Sequence, residues 1–527
     1  MRRLAIDYSF DYSRLADFYA GDPSEPSAWT AAIRAATERR MNRQAIADVL
    51  TAQQERRNAP AEARAAARTL ADPRAVAIVT GQQAGLFGGP LYTLLKAITT
   101  IRLAERMRHE HDVPVVPVFW IDAEDHDWNE IASTTVLNAD DATATVTAGA
   151  PEGAGERPAA ALKYTDDIAR AVQELGAALP QTEFTSTLVE ALGADYASGQ
   201  SVPDAFGRWL ERALGAFGLV VFDCSDPAAK PLVADLFRAE LEHPGRTAKL
   251  AAEAGAALAE RGYHSQVEPA DGSVCMFLLD SARHPIKATA DGFSAGEQGF
   301  SREALLERAT SDPQSFSPNV LLRPLVQDTL FPTICYVAGP NELAYLGQLK
   351  QVYAQAGIPM PLIQPRATAT IVDAAALRFL TRYQVAFEQL ATRDESALNE
   401  LLRAQLPPSV EGAVQDAEAE IAARLDAVIR AVPAIDPTLE GAARSTLGKI
   451  THDMKALRGK IVQAAKRRDE TLRRQFVHVQ TLAFPGGTPQ ERTIGFVAFL
   501  NKYGPAFVER LTAELPIDGG THWIITV

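Results

Sequence analysis

Residues 75–131 read AVAIVTGQQAGLFGGPLYTLLKAITTIRLAERMRHEHDVPVVPVFWIDAEDHDWNEI, and the fold follows from this stretch. Residues 75–80 are a short, β-branched apolar run, the pattern of a buried strand. Residues 81–89 are a glycine-rich turn. Pro90 stands at the expected first helical position, which tolerates its fixed φ and missing N–H. Leu91, Leu94, Leu95, Ile98, Ile101 and Leu103 then form a helical stripe. Residues 115–121 give a second buried strand, followed by the polar cluster Asp122, Glu124, Asp125, His126 and Asp127. The order strand, glycine turn, helix, strand, acidic loop predicts a βαβ unit with its chemistry at the carboxyl ends of the strands, where open parallel sheets bind ligands.

A glycine turn at a helix start can hold phosphate or carboxylate on free N–H groups, or it can be only a turn. Its spacing matches neither G-x-G-x-x-G nor the P-loop. Gln82 and Gln83 favour a site, because adjacent amides at a strand tip offer fixed donors and acceptors. The acidic cluster is the stronger signal. Four acids and a histidine after an apolar strand must be solvated, paired or used. A solvated loop, a helix cap and a metal site are the competing readings; a catalytic or binding edge is favoured.

The chain has 527 residues, too many for one ordinary core, so two or more domains are expected. It is 47% hydrophobic and 22% charged, ordinary for a globular protein. A net charge of −14 argues against a general nucleic-acid binder. The three cysteines, Cys224, Cys275 and Cys335, are too far apart for a disulfide framework or a CxxC zinc site, which fits a reducing cytoplasm. The N-terminus lacks the apolar core of a signal peptide, and no stretch is suited to span a bilayer.

Along the chain, residues 1–70 read as a helical lead-in. Residues 132–215 read as an insertion, with an edge hairpin around TATVTA. The run 218–223 returns to the sheet pattern and ends in Asp223, a ligand contact or a helix cap. Strands are expected at 262–267 and 274–279, with Arg283 shortly after, and a loop at 292–299. Residues 333–337 and Gly339–Pro340 repeat the grammar of strand, turn and helix, with Asn341, Glu342 and Tyr345 at the helix start. Asn319, Arg323 and Gln327 precede that strand. Arg323 and Arg366 are suited to bidentate carboxylate binding or to salt bridges between elements. The runs at 75–80, 115–121, 218–223 and 333–337 should be neighbouring parallel strands.

Residues 371–482 change character: glycine nearly vanishes and helical periods lengthen. Leu439, Ala443, Leu447, Ile450, Met454, Leu457, Ile461 and Ala465 form a coiled-coil seam. Pro407–Pro408 and 432–437 should be turns between antiparallel helices. The basic run 455–474 reads as a solvated face. A tail at 483–527 is expected to return to the core, its closing strand 522–527 joining the core sheet. The organisation is therefore a core at 1–370, a helical domain at 371–482 and this returning segment.

The blocks VTGQQAGLFGGPLYTLLKA, PVFWIDAEDHDWNEI, FSPNVLLRPLVQDTLFPTICYVAGPNELAYLGQL, MPLIQPR and FPGGTPQER…LNKYG resemble the bacillithiol biosynthesis cysteine-adding (BshC) family, over nearly the whole chain and in order. The resemblance implies a Rossmann-like core akin to nucleotidyltransferases, connecting-peptide insertions and a C-terminal coiled coil used for homodimerisation. It implies a ligase that adds cysteine to glucosamine-malate. Where the family commonly has Gly before the Glu-Asp-His-Asp run, this chain has Asp122–Ala123. Within the matching blocks, Asp125, His126 and Glu124 are the catalytic candidates. Gln82, Gln83, Gly85, Gly89, Lys96, Trp120, Asn319, Arg323, Gln327, Tyr336, Gly339, Asn341, Glu342, Tyr345 and Arg366, together with Asp223, are the candidates for substrate binding.

Joining a free carboxylate to an amine in water is uphill, so the acid must be activated, most simply by ATP. The chain has neither a P-loop nor a His-x-Gly-His signature, so either unfamiliar residues activate cysteine or the donor arrives activated. The amine must also lose a proton, and Asp125 or His126 is the candidate base. No metal is expected. A coiled-coil scaffold with a relic nucleotide fold and a metal-dependent hydrolase using the 124–127 cluster are the rival readings.

Overall fold

The computed structural model describes residues 3–270, 272–280, 282–392, 394–404, 408–468 and 470–527, with backbone alone at 408 and 465–468. It divides into two compact units: 1–370 with 491–523, and 371–490 with 524–527.

The first unit is built on a five-stranded sheet in the order Leu362–Pro365, Thr333–Ala338, Val76–Gln82, Val115–Ile121, Val220–Asp223. All four pairings are parallel. The four runs expected to be neighbours therefore are, and the MPLIQPR block supplies the fifth strand. The two central strands are apolar and almost wholly buried because helices cover both faces. On one face Val76, Ile78, Leu103, Met107, Val115, Ile334 and Val337 pack with Trp29. Further along the same strand as Val115, Phe119 meets Phe206 of the helix Val202–Leu214, with ring centroids 5.9 Å apart. The region read as an insertion thus ends in a core helix. It begins with the expected hairpin, Ser133–Leu137 against Thr143–Thr147.

A second, antiparallel sheet runs in the order Phe316–Pro318, Ser273–Leu279, Arg283–Thr289, Gly292–Ala295, Gln298–Phe300. It corrects two expectations. Residues 292–299 form a hairpin rather than a loop: Gly296, at φ +58°, makes the turn that lets Ala295 pair with Gln298. Residues 262–267 form no strand. Their backbone is satisfied by a side chain instead: Gln348 Oε1 accepts from the N–H groups of Gln266 and Val267, and its Nε2 donates to the Val267 carbonyl.

The closing strand His522–Thr526 is a third correction. It pairs with Thr368–Val372 in a separate two-stranded sheet and is no part of the five-stranded core sheet.

The second unit is helical: Ala374–Tyr383, Ser396–Ala404, Pro408–Ala431, Leu439–Arg468 and Glu470–Ala483. A turn at Val432–Ala434 joins the two long helices. Arg458 pairs with Glu411 and lies 3.8 Å from Glu418, so residues about equally far from the turn meet, as antiparallel helices require. Of the expected seam, Ala443, Leu447, Ile450, Met454 and Ile461 are half-buried, while Leu457 is 48% exposed. Pro407 and Asp469 lie outside the described residues, as do the side chains of Pro408, Ala465, Lys466, Arg467 and Arg468. No described helix is long and apolar enough to cross a membrane. All three cysteines are buried and free.

Candidate active site

Strand order reverses between Val76–Gln82 and Thr333–Ala338, and a cavity of about 530 Å³ opens where their carboxyl ends diverge. Gly81, Gln82 and Gln83 from the first strand's tip line it, with Trp120, Asp122 and Asp125 from the second, and Glu130. Tyr336, Glu342 and Tyr345 form another wall. Phe277, Arg283, Pro318, Asn319, Val320 and Arg323 close it from the side of the antiparallel sheet.

Backbone fit explains the floor. A Cβ on Gly81 would stand 3.0 Å from the Trp120 carbonyl, so only glycine lets the two strand tips approach this closely. Behind them Lys96, buried on the helix Leu91–His111, donates to the Gly81 carbonyl (2.8 Å) and to Gln82 Oε1 (3.2 Å). It also pairs with Glu342 at 2.5 Å. Glu342 accepts from the Tyr336 hydroxyl (2.6 Å) and from the Gly339 N–H (2.7 Å). Burial pushes its carboxyl up, but Lys96, Tyr336 and the Gly339 N–H outweigh burial and hold it below the usual carboxylate range. Burial also pushes Lys96 down, against the pull of Glu342.

Arg323 is 8% exposed. Its Nη1 donates to Gln327 (3.3 Å), its Nη2 to the Tyr345 hydroxyl (3.0 Å), and its guanidinium lies 5.6 Å from the Tyr336 ring centre. Among the described residues no carboxylate stands within 4.0 Å of it. Asn319 accepts from the N–H groups of Leu321 and Leu322 and so fixes the start of the Arg323–Leu330 helix. Across the cavity, Asp125 Oδ2 accepts from Gln83 Nε2 (2.6 Å), and its Oδ1 accepts from the His126 N–H (2.8 Å). Arg283 Nη1 reaches the same Oδ1 at 3.4 Å. The Asp122 carboxyl has no hydrogen-bond partner among the described residues. Burial pushes it above the usual range, Arg323 opposes, and Asp125 adds to the rise.

Sequence reasoning thus found nine residues of the lining: Gln82, Gln83, Trp120, Asp125, Asn319, Arg323, Tyr336, Glu342 and Tyr345. Lys96, Gln327 and Gly339 stand behind it as supports. The remaining candidates lie elsewhere. Glu124, 4% exposed, is in a buried ion pair with Lys230, and His126 is a half-exposed side chain outside the lining. Asn341 is exposed and also outside the lining. Asp223 caps a turn by accepting from the Ser225 N–H (2.9 Å) and hydroxyl (2.6 Å). Arg366 is clamped bidentately by Glu491, at 2.9 and 2.6 Å.

Of the glycine turn expected to hold an anion, residues 81–83 reach the cavity. Gly85 and Gly89 are buried away from the cavity. The Gly88 N–H donates to the Tyr196 hydroxyl (3.1 Å), and the Leu91 N–H donates to the Ile494 carbonyl (2.8 Å). The N–H groups of Gly85 and Gly89 are likewise engaged within the turn, by the Gln83 and Leu86 carbonyls.

Sequence reasoning missed Asp122, Glu130, Phe277, Arg283, Pro318 and Val320 as lining residues. Asp122 stood within the polar cluster, and Arg283 followed an expected strand; those were the available signals. Among the described residues no group of three or more His, Cys, Asp or Glu is arranged to hold a metal ion.

A Rossmann-like parallel sheet with a polar cavity at its switch point defines an enzyme of small molecules. Residues 1–367 match the family description "Bacillithiol biosynthesis BshC, N-terminal Rossmann-like domain", and residues 369–527 match "Bacillithiol biosynthesis BshC, C-terminal coiled-coil domain". The chain belongs to the bacillithiol biosynthesis BshC family. It is 37% identical to "Putative cysteine ligase BshC" of Salinibacter ruber, over 99% of this chain and 96% of that one. It is 31% identical to proteins of the same name from Chlorobaculum tepidum (97% and 94% covered) and Symbiobacterium thermophilum (98% and 94%).

Proposed function

We propose that the protein is a cytoplasmic ligase that joins cysteine to the amine of glucosamine-malate, and that it works as a homodimer through its coiled coil. The relatives' names support cysteine ligation. One observation carries the substrate reading: a buried arginine without a carboxylate partner, Arg323, faces the acids Asp122 and Asp125 across one cavity. A buried guanidinium recruits an anion, and an acidic wall recruits an ammonium group. Glucosamine-malate and cysteine each carry both charges.

In this reading Arg323 holds a malyl carboxylate. The amine lies toward Asp125, whose carboxylate Gln83 and the His126 N–H hold in place. The cysteinyl carbonyl carbon forms a bond to the amine nitrogen, the leaving group departs from that carbon, and Asp125 takes the ammonium proton. Trp120, Phe277 and Val320 provide the apolar surface. Activation of the acyl group needs a further source. The glycine turn is a poor fit for a triphosphate, because the N–H groups of Gly85, Gly88, Gly89 and Leu91 are engaged internally and Glu342 already occupies the second turn. No step is therefore assigned to ATP.

The test is direct. Pure protein is incubated with cysteine and glucosamine-malate, with ATP or with a cysteinyl thioester, with and without chelator. Mass spectrometry should detect the cysteinyl amide in at least one arm. Absence of the amide from every arm would refute the ligase reading.

A further inference from the structure

The acidic cluster contains a residue that the cavity does not use. Glu124 is buried and turned away from the cavity, paired with Lys230. Lys230, itself 3% exposed, follows the Val220–Asp223 strand and does not line the cavity. Its Nζ also donates to the Phe316 carbonyl at 3.0 Å. Phe316 opens the short strand Phe316–Pro318, which holds Arg283: Arg283 Nε donates to the Ser317 hydroxyl (3.2 Å) and Nη2 to the Pro318 carbonyl (3.0 Å). Arg283 stacks on Phe277 at 3.9 Å and reaches Asp125, the neighbour of Glu124. The contacts close a ring from Glu124 through Lys230, the Phe316–Pro318 strand and Arg283 to Asp125. That ring joins the core sheet's tip to the antiparallel sheet, which are two walls of one cavity.

We propose that Lys230 is a positioning residue: by holding Glu124 and the Phe316 carbonyl together, it sets the geometry at which Arg283 meets Asp125 in the cavity wall. Three features support this. Lys230 is the one side chain in the ring that touches both walls from behind. Both of its partners stand within two residues of groups that line the cavity. A buried carboxylate that lost this cation would be left unpaired, so the two sides cannot drift apart without a large penalty. The inference rests on the cavity being the substrate site proposed above.

A charge-compensated pair of variants separates positioning from stability. Lys230→Met leaves Glu124 buried and unpaired, so it should lower the melting temperature. Glu124→Leu/Lys230→Met removes both charges and should recover most of that loss, as apolar replacements of buried pairs often do. It cannot restore the donor to the Phe316 carbonyl, and it leaves the 3.4 Å contact of Arg283 with Asp125 as the remaining tie between the walls within the ring. Calorimetric affinity of the double variant for glucosamine-malate should therefore remain about tenfold or more below wild type, with turnover reduced in parallel. Should affinity return with the melting temperature, Lys230 is merely structural and the inference is wrong. Should Lys230→Met fail to fold, the double variant still decides. If wild type itself does not bind glucosamine-malate, the substrate reading falls and this inference with it; if wild type and double variant bind equally, only the clamp falls.

Discussion

Asp125 and His126 are adjacent in the chain, yet their surroundings separate their roles. Asp125 lines the cavity with its oxygens anchored, whereas His126 projects a 46% exposed side chain outside the lining. Asp125→Asn should lower turnover by roughly a hundredfold and also weaken amine binding, because Asp125 belongs to the acidic wall, whereas His126→Asn should cost at most a few-fold in either. Steady-state kinetics on both variants would check this; equal losses would restore the histidine as a base. Asp122 is tuned differently. Burial raises its pKa, Arg323 and Arg283 oppose, and Asp125 and Glu342 add to the rise. The folded state therefore favours the protonated acid, and ionising it costs stability as pH climbs past the usual carboxylate value of about 4. Asp122→Asn should melt higher than wild type at neutral pH, and the two should converge below about pH 4. Affinity for an amine ligand needs the ionised form, so it should rise with pH in wild type and stay flatter in the variant. A melting series and calorimetry across pH 4–8 would show both trends. At this scale the sequence displays residue types but not their partners. Nothing local reveals that Glu491 holds Arg366, whereas Ser225, which holds Asp223, stands only two residues on, where the capping reading pointed.

Elements were legible where a single physical pattern dominates. The continuous apolar runs of the core strands have no other stable use than a sheet covered on both faces. The hairpin at 292–300 was hidden because glycines that signal a loop also make tight turns. The glycine turn at 81–89 shows the same ambiguity. It resembles an anion cradle in sequence, but it is a packed knot. Gly88 has φ +95°, and a Cβ there would come within 2.2 Å of the Phe496 ring. Gly88→Val should therefore act on the fold, costing roughly 2–5 kcal/mol from left-handed strain and overpacking. Denaturant unfolding would measure it. A variant as stable as wild type would mean that the turn is looser than its contacts imply.

The whole molecule poses a question of burial. The two long helices of the second unit satisfy each other only in part. Val462 and Ile429 are buried, but Leu439, Val428 and Leu457 are 39–48% exposed, and Ile435 is 83% exposed. The seam's 3–4 spacing was readable from the sequence, and so was the need for a partner, because a long amphipathic helix does not bury its stripe alone. Which surface supplies the partner was not readable, since one seam serves equally within a hairpin and between chains. Ile450 and Leu457 lie two turns apart on the Leu439–Arg468 helix, half-buried and exposed respectively. If the remaining apolar face meets a second copy, Ile450→Glu/Leu457→Glu should place like charges at a twofold interface, where each is desolvated and repelled. Light scattering at micromolar concentration should then give twice the 56.8 kDa chain mass for wild type and the single mass for the variant. Helix content by circular dichroism should stay close to wild type, because both substitutions keep good helix formers on the surface. A wild-type monomer would refute the dimer outright. A variant that stays dimeric would move the interface off this seam.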